Sequence, residues 1–187
     1  MAFDLESIRR KVEQLNGAGK RTSVMWKPKP GEHIVRIVPL SSEIFAERKF
    51  YYNIGSNPGL LAPSQFGLPD PIQELITKLK SDGTSDSYNV AKKLYPKMRV
   101  FAGVIVRGEE EKGIQIWSFG KQVYQMLLNL MLDSDYGDIS DPLEGRDIKV
   151  QITKAPNEEF AKTAVVPKPK VSKLAEDSKQ AKEYLNI

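Results

Sequence analysis

The sequence predicts an α+β fold, mainly β, in which an antiparallel sheet carries a small helical or irregular lobe. Three observations predict it. From Lys97 to Arg107 the even positions, Met98, Val100, Ala102, Val104 and Val106, are apolar, whereas the odd positions are Lys97, Arg99, Phe101, Gly103, Ile105 and Arg107. That is the period-two pattern of a half-buried strand. The alternation returns at Ile114–Phe119, beyond a loop bounded by Gly108 and Gly113, and again at Ile148–Thr153. Elsewhere apolar stripes run at helical spacing between capping residues.

In chain order, residues 4–16 make the first helix, with Leu5, Ile8, Val12 and Leu15 on one stripe, Asp4 at the start and Gly17 at the end. A loop follows through Lys20, Arg21 and Trp26-Lys27-Pro28-Lys29-Pro30-Gly31. Ile34–Val38 reads as a strand apolar on both faces except at Arg36, which marks either an edge position or a face open to a ligand. Arg48–Ile54 is an aromatic-rich strand. Residues 55–70, with three glycines and three prolines, form an irregular segment. Asp70-Pro71 opens a helix to Lys80, with Asp70 as cap and Pro71 at its first position. Ser81–Ser87 is a polar break, and sheet resumes at Lys97. A helix follows over Lys121–Leu132 and a strand over Asp147–Lys154. A proline-broken segment at Val166–Lys170 leads to a polar helix within Ser172–Leu185. The organisation expected is 1–24 as an N-terminal helix and basic arm, 25–160 as the sheet core with a lobe inserted at about 55–95, and 161–187 as a C-terminal extension.

Composition narrows the chemistry. The chain has 187 residues, 40% of them apolar, enough for a buried core. It has no cysteine and one histidine, His33, which argues against a zinc site, a thiol nucleophile or a Ser-His-Asp triad. No apolar run reaches the roughly 20 residues that span a bilayer, and no signal-peptide layout opens the chain. A protein that binds rather than transforms is expected: not an enzyme, with no membrane partner. The formal net charge is only +4, yet residues 92–107 carry five basic and no acidic side chains: Lys92, Lys93, Lys97, Arg99 and Arg107. Acidic stretches flank this window, and such segregation concentrates positive potential.

Pairing Val106 with Ile114 sets Val104 against Ile116, Phe101 against Phe119 and Gly103 against Trp117. Apolar then faces apolar, and Phe101, Trp117 and Phe119 share the opposite face with Lys97, Arg99 and Arg107. Rings interleaved with cations on an open sheet suit an unpaired nucleic-acid strand, with bases stacked on the rings and phosphates held by lysine and arginine. A loop folded over the rings as a second small core fits the same pattern. So do a protein-docking face and an oligosaccharide platform.

Four features in order resemble the single-stranded DNA-binding (helix-destabilising) proteins of T-even-type bacteriophages, including the cyanophage branch. They are Leu15-Asn16-Gly17 after a short helix, with Trp26-Lys27 leading into Ile34-Val35-Arg36-Ile37-Val38-Pro39; the basic strand Lys97–Arg107; Trp117-Ser118-Phe119-Gly120-Lys121 leading into a helix; and Pro142-Leu143-Glu144-Gly145 before a strand. The resemblance spans roughly residues 10–160. It implies an OB-fold-like antiparallel sheet or barrel and cooperative, sequence-independent binding of single-stranded DNA. It further implies roles in phage DNA replication, recombination and repair in the cytoplasm of the infected host, self-association along DNA, and contacts with phage replication and recombination proteins.

Carried over by residue, the resemblance assigns DNA contacts to Lys97, Arg99, Phe101 and Trp117, and more loosely to Tyr88, Tyr95 and Phe160; the sheet face, the helix start and the basic window add Arg107, Phe119, Lys121, Lys92 and Lys93 as candidate contacts. Cooperativity falls weakly on Arg9, Arg10, Lys11, Lys20 and Arg21. The family's zinc-bearing lobe has no counterpart here, because residues 51–95 contain neither cysteine nor histidine and His33 precedes the first strand as read. No zinc or other cofactor is expected, and the lobe is assigned to Leu60, Leu61, Phe66, Ile72, Leu75, Ile76 and Leu79. The family's acidic C-terminal tail is also missing from this sequence. Asp133, Asp135, Asp138 and Asp141 lack calcium-loop spacing and read as turn formers. Trp26 and Tyr124 read as core, and His33 as a surface side chain.

Overall fold

The computed structural model describes residues 24–39, 43–158 and 160–185. The first helix and the candidate cooperativity residues Arg9, Arg10, Lys11, Lys20 and Arg21 lie outside the described residues. In chain order the elements are β1 (Met25–Trp26), β2 (Gly31–Val38), β3 (Ala46–Tyr51), β4 (Leu60–Leu61), α1 (Pro71–Ser81), α2 (Ser85–Leu94), β5 (Lys97–Val106), β6 (Gln115–Phe119), α3 (Lys121–Leu132), β7 (Arg146–Thr153), β8 (Lys162–Val171) and α4 (Ser178–Leu185). The fold is mixed α and β; among the described residues it has four helices and one open, mostly antiparallel sheet of eight strands, six in the order β1-β6-β5-β2-β7-β8, with β3 paired to β5 and β4 to β3 off that path. The ten-residue β5 organises it. Along one edge β5 pairs β2 through residues 103–106 and β3 through 97–101; along the other it pairs β6.

The strands expected at 34–38, 48–54, 97–107, 114–119 and 147–154 are present within a few residues, β1, β4 and β8 are not among those expected, and the register of the central hairpin differs from the expected one. Val100 stands opposite Phe119, Ala102 opposite Trp117 and Val104 opposite Gln115. The pairing is therefore slipped by one residue from the expected one, and every β6 side chain changes face. Trp117 and Phe119 join Trp26, Val35, Ile37, Val100, Ala102 and Val104 in the main core, where α3 adds Val123 and Leu127. Ile114 goes to the other side. The expectation failed because it assumed one wet face. Both faces of β5 are apolar at its far end, so apolar matching alone did not fix the register. The larger rings took the deeper core, and the Gly108–Gly113 loop accommodated them with both glycines at positive φ.

The second face is closed at that far end. Val38 and Ile105 pack against Leu174 and Tyr184, with Ile114 and Ala175 beside them. The segment expected as an extension, 161–187, supplies through its described residues 161–185 the edge strand β8 and this cover. The proline-broken segment is part of β8 itself, where Pro167 pairs opposite Ile148. An edge strand tolerates the missing N–H donor. Arg36 takes neither of its expected roles. It is fully buried, and its guanidinium donates to the carbonyl oxygens of Ile139, Asp141 and Arg146 (3.0 Å to the last). Burial holds its pKa below the usual value, against the raising effect of Asp147. Gly145 lies so close that a Cβ there would strike the guanidinium and the Asp141 carbonyl.

The lobe has its own small core of Tyr51, Ala62, Ile76 and Ala91, with Ile54, Leu60, Ile72, Leu79 and Leu94 around it. Leu61, Phe66 and Leu75, assigned to this core from sequence, are exposed instead. The supposed break at Ser81–Ser87 contains the start of α2, which Thr84 caps by accepting from the Ser87 amide. Thr84's capping and the short Asp82–Thr84 link between helices were the unread signals. Buried Asp70 ties the lobe together. It accepts from the Gln73 amide at the head of α1, from Tyr51 Oη (2.8 Å) and from the Ser64 amide and hydroxyl. Burial raises its pKa, but these four donors outweigh burial and hold it below the usual carboxylate range.

Trp26 is buried, as read. Tyr124 is half-buried, its hydroxyl donating to Glu47 (2.9 Å). His33 lies within β2, not before the first strand, half-buried and edge-on to Trp26. Asp133, Asp138 and Asp141 each accept a backbone amide two residues on, as turn formers do. Among the described residues no helix is long and apolar enough to cross a membrane.

Candidate functional site

The odd positions of β5 at its open end, Lys97, Arg99 and Phe101, do face away from the main core, and β3 completes their surface. Phe50 pairs with Lys97, Arg48 with Arg99 and Ala46 with Phe101, so these six side chains share one face. The Phe101 ring lies 6.0 Å from that of Phe50, and Phe50 lies 6.3 Å from Tyr52. Lys97 is exposed; Arg48, Phe50, Tyr52, Arg99 and Phe101 are half-buried. The rings are thus supported from below yet accessible from above, as a stacking surface requires.

Arg99 connects this face to a groove. Its guanidinium donates to the hydroxyl (3.1 Å) and the carbonyl oxygen (3.2 Å) of Ser118, which holds it over the end of β6. There β6 has no strand beyond it among the described residues, because β1 pairs only with Ile116 and Trp117. The gap is a groove of about 1140 Å³. One wall is α3, through Lys121, Gln122, Gln125, Met126 and Asn129; the other is the β7–β8 turn, through Glu158 and Phe160, with the start of β8, through Lys162 and Thr163. The sheet edge at Trp117–Phe119 and Val123 form its inner side. Arg48, Lys97, Arg99 and Lys121 take part in no ion pair among the described residues, whereas Lys162 is paired with Glu158. The groove is larger than the roughly 300–1,000 Å³ typical of small-ligand sites, and it shares Arg99 with the aromatic face. An extended, anionic, ring-bearing ligand matches both.

Several residues singled out from sequence fall elsewhere. Trp117 and Phe119 are each 3% exposed. Their rings, 4.5 Å apart, pack on one another and on Trp26 and Phe45, so only their edges reach the groove. They are support, not platform. Arg107 is committed within the protein, ion-paired with Asp147 at 2.9 Å and donating to the carbonyls of Lys173 (2.8 Å) and Leu174 (3.3 Å). Lys92, Lys93 and exposed Tyr88 stand on α2 and do not line the groove. Tyr95, two residues before Lys97, lies with the Lys80 ammonium 5.8 Å from its ring centre. Phe160, the loosest match, is the most exposed aromatic of the groove wall at 75%.

Sequence reasoning missed Arg48, Phe50 and Tyr52. They alternate with Glu47, Lys49 and Tyr51, and that alternation was the available signal. It also missed the α3 amides Gln122, Gln125 and Asn129, whose i, i+3, i+7 spacing marks one helix face. No protein-family model matches the chain, and no curated protein matches it significantly.

Proposed function

We propose that the protein binds single-stranded DNA, stacking bases on Phe50, Phe101 and Phe160 and holding phosphates with Arg48, Lys97, Arg99 and Lys121. The observation that carries this reading is that Arg99 belongs both to an accessible ring-and-cation face and to the lining of the groove. Stacking tolerates any base because every base has a π-face, and each stacked base contributes about 1–3 kcal/mol. A duplex presents its bases edge-on within its own stack, so the rings have nothing to cover, and discrimination against double strands follows.

In this reading the sheet serves as an OB-type platform, and the resemblance of the sequence to T-even-type phage helix-destabilising proteins supports roles in phage replication, recombination and repair. The chain acts without catalysis and without a metal, in the cytoplasm of the infected bacterium. It contacts its neighbours along the strand and the phage replication and recombination proteins that work there.

The test is the double substitution Phe50→Ala and Phe101→Ala, read by fluorescence titration with oligo(dT) and by thermal melting. Loss of two stacking rings weakens binding at least tenfold (about 1.4 kcal/mol) in a protein that still folds. Affinity unchanged in the folded double variant removes the platform.

A further inference from the structure

We propose that Tyr52 is a third stacking residue of the single-strand platform and that Gly59 places its ring. The inference rests on the single-strand reading above and extends its ring face towards the lobe. Tyr52 follows directly on β3, and its ring centre lies 6.3 Å from that of Phe50 with the planes 36° apart. It stands beside Phe50 as Phe50 stands beside Phe101, at 6.0 Å and 53°. Both spacings exceed the roughly 3.4 Å between stacked nucleotides of one strand, so each ring serves a nucleotide of its own.

The fold makes no other use of this ring among the described residues. The neighbouring Tyr51 is buried in the lobe core, and its hydroxyl donates to Asp70 at 2.8 Å. Tyr52 alternates to the other face of the strand. It is half-buried, its hydroxyl makes no hydrogen bond among the described residues, and its ring belongs to none of the apolar cores. Phe50 and Phe101 are absent from the same cores, so the three rings form a row outside the apolar interior. Lys97, opposite Phe50, supplies an exposed ammonium beside that row, the combination that stacks bases and holds phosphates.

Gly59 accounts for where the ring lies. β3 and β4 pair Phe50 with Leu61 and Tyr51 with Leu60, and one step further the register sets Tyr52 opposite Gly59. Gly59 is not among the glycines at positive φ, so its backbone does not require glycine. The space does. A Cβ there would lie 3.2 Å from Tyr52 Cε1, 3.6 Å from Tyr52 Cδ1 and 3.9 Å from Phe50 Cδ1. The first distance is inside the about 3.5–4.0 Å at which carbon atoms pack. The Tyr52 ring thus takes the place that a cross-strand side chain would fill. Alanine at 59 shifts the ring slightly, and the branched side chain of valine drives it out of line with Phe50. A ring that did no more than shield the glycine backbone would contribute to stability and not to binding.

The test is fluorescence titration with oligo(dT), with melting curves to verify folding. Tyr52→Leu, which keeps apolar bulk without a ring, is expected to bind at least about fivefold more weakly (about 1 kcal/mol), and Tyr52→Phe, which returns the ring, to rescue that loss. Gly59→Val is expected to weaken binding by a similar factor and Gly59→Ala by a smaller one. In the Tyr52→Leu background Gly59→Val is expected to cost nothing further, because the ring it displaces is gone. A Tyr52→Leu protein that melts lower yet binds within about twofold of wild type makes the ring a cover for Gly59 and overturns the inference. A Gly59→Val loss that persists in full without the ring overturns the placing role of Gly59. In either case a loss of binding in the Phe50→Ala and Phe101→Ala double variant leaves the single-strand reading standing. Absence of oligo(dT) binding by the wild-type chain at low salt overturns both.

Discussion

Replacing Trp117 by alanine separates support from contact. The side chain is 3% exposed, edge-on to Trp26 at 5.5 Å and 4.5 Å from the Phe119 ring. Truncating a buried tryptophan costs about 3–5 kcal/mol, and two aromatic contacts are lost with it, each worth about 0.5–1.5 kcal/mol beyond burial. Against a total stability of roughly 5–15 kcal/mol, that is a large share. With a urea slope of about 2 kcal/mol/M, the unfolding midpoint falls by about 2–4 M. Far-UV circular dichroism in urea reads the shift. The fraction of Trp117→Ala that remains folded at low temperature is expected to retain most of its oligonucleotide affinity, because Phe50, Phe101 and the cations stay in place. A Trp117→Ala protein within about 1 kcal/mol of wild-type stability that has lost binding contradicts the observed register. Trp117 would then stand on the open face.

Two further outcomes follow from the same contacts. Arg107→Met removes the Asp147 ion pair and two carbonyl contacts, so stability falls by about 2 kcal/mol while oligo(dT) affinity changes less than twofold (about 0.4 kcal/mol); a large loss of affinity at unchanged stability would return Arg107 to the binding surface. Asp70 has a lowered folded-state pKa, so its stabilising effect is complete above its unfolded value of about 3.9 and is lost as pH falls through the lower folded value. Acid titration followed by Tyr51 environment or amide exchange in α1 is expected to show the lobe loosening below about pH 4, and Asp70→Ala to weaken the lobe at neutral pH and flatten that acid dependence.

Much of the architecture was legible. The strand beginning at Lys97, the helix Lys121–Leu132 and the cap at Asp70 are where alternation, helical spacing and a capping residue place them. The even face of β5 is the core face, as its alternation implied. What the sequence left open was which β6 residues share that face, because β5 is apolar on both faces at its far end and its alternation alone does not choose between them. That ambiguity moved Trp117 and Phe119 from platform to core. Phe50 was visible as part of an aromatic strand but had no assigned partner, and only the pairing of β3 with the basic end of β5 brings it beside Phe101. Arg107 looked like a ligand for phosphate because its partner Asp147 is forty residues away in sequence. Arg36 similarly finds its carbonyls more than a hundred residues on. Groove walls built from α3 and the β7–β8 turn are products of tertiary packing, and local pattern carries no trace of their proximity.

The central claim is that an unpaired strand lies across the Phe50–Phe101 face with its phosphates on Arg48, Lys97, Arg99 and Lys121. Its most direct measurement is the salt dependence of oligo(dT) affinity, set beside that of a duplex of equal length. Four phosphate contacts at about 0.7 each give a log–log slope of roughly −3 for the single strand, with the duplex binding far more weakly at every salt concentration. A slope near zero, or equal affinity for the two forms, contradicts the account.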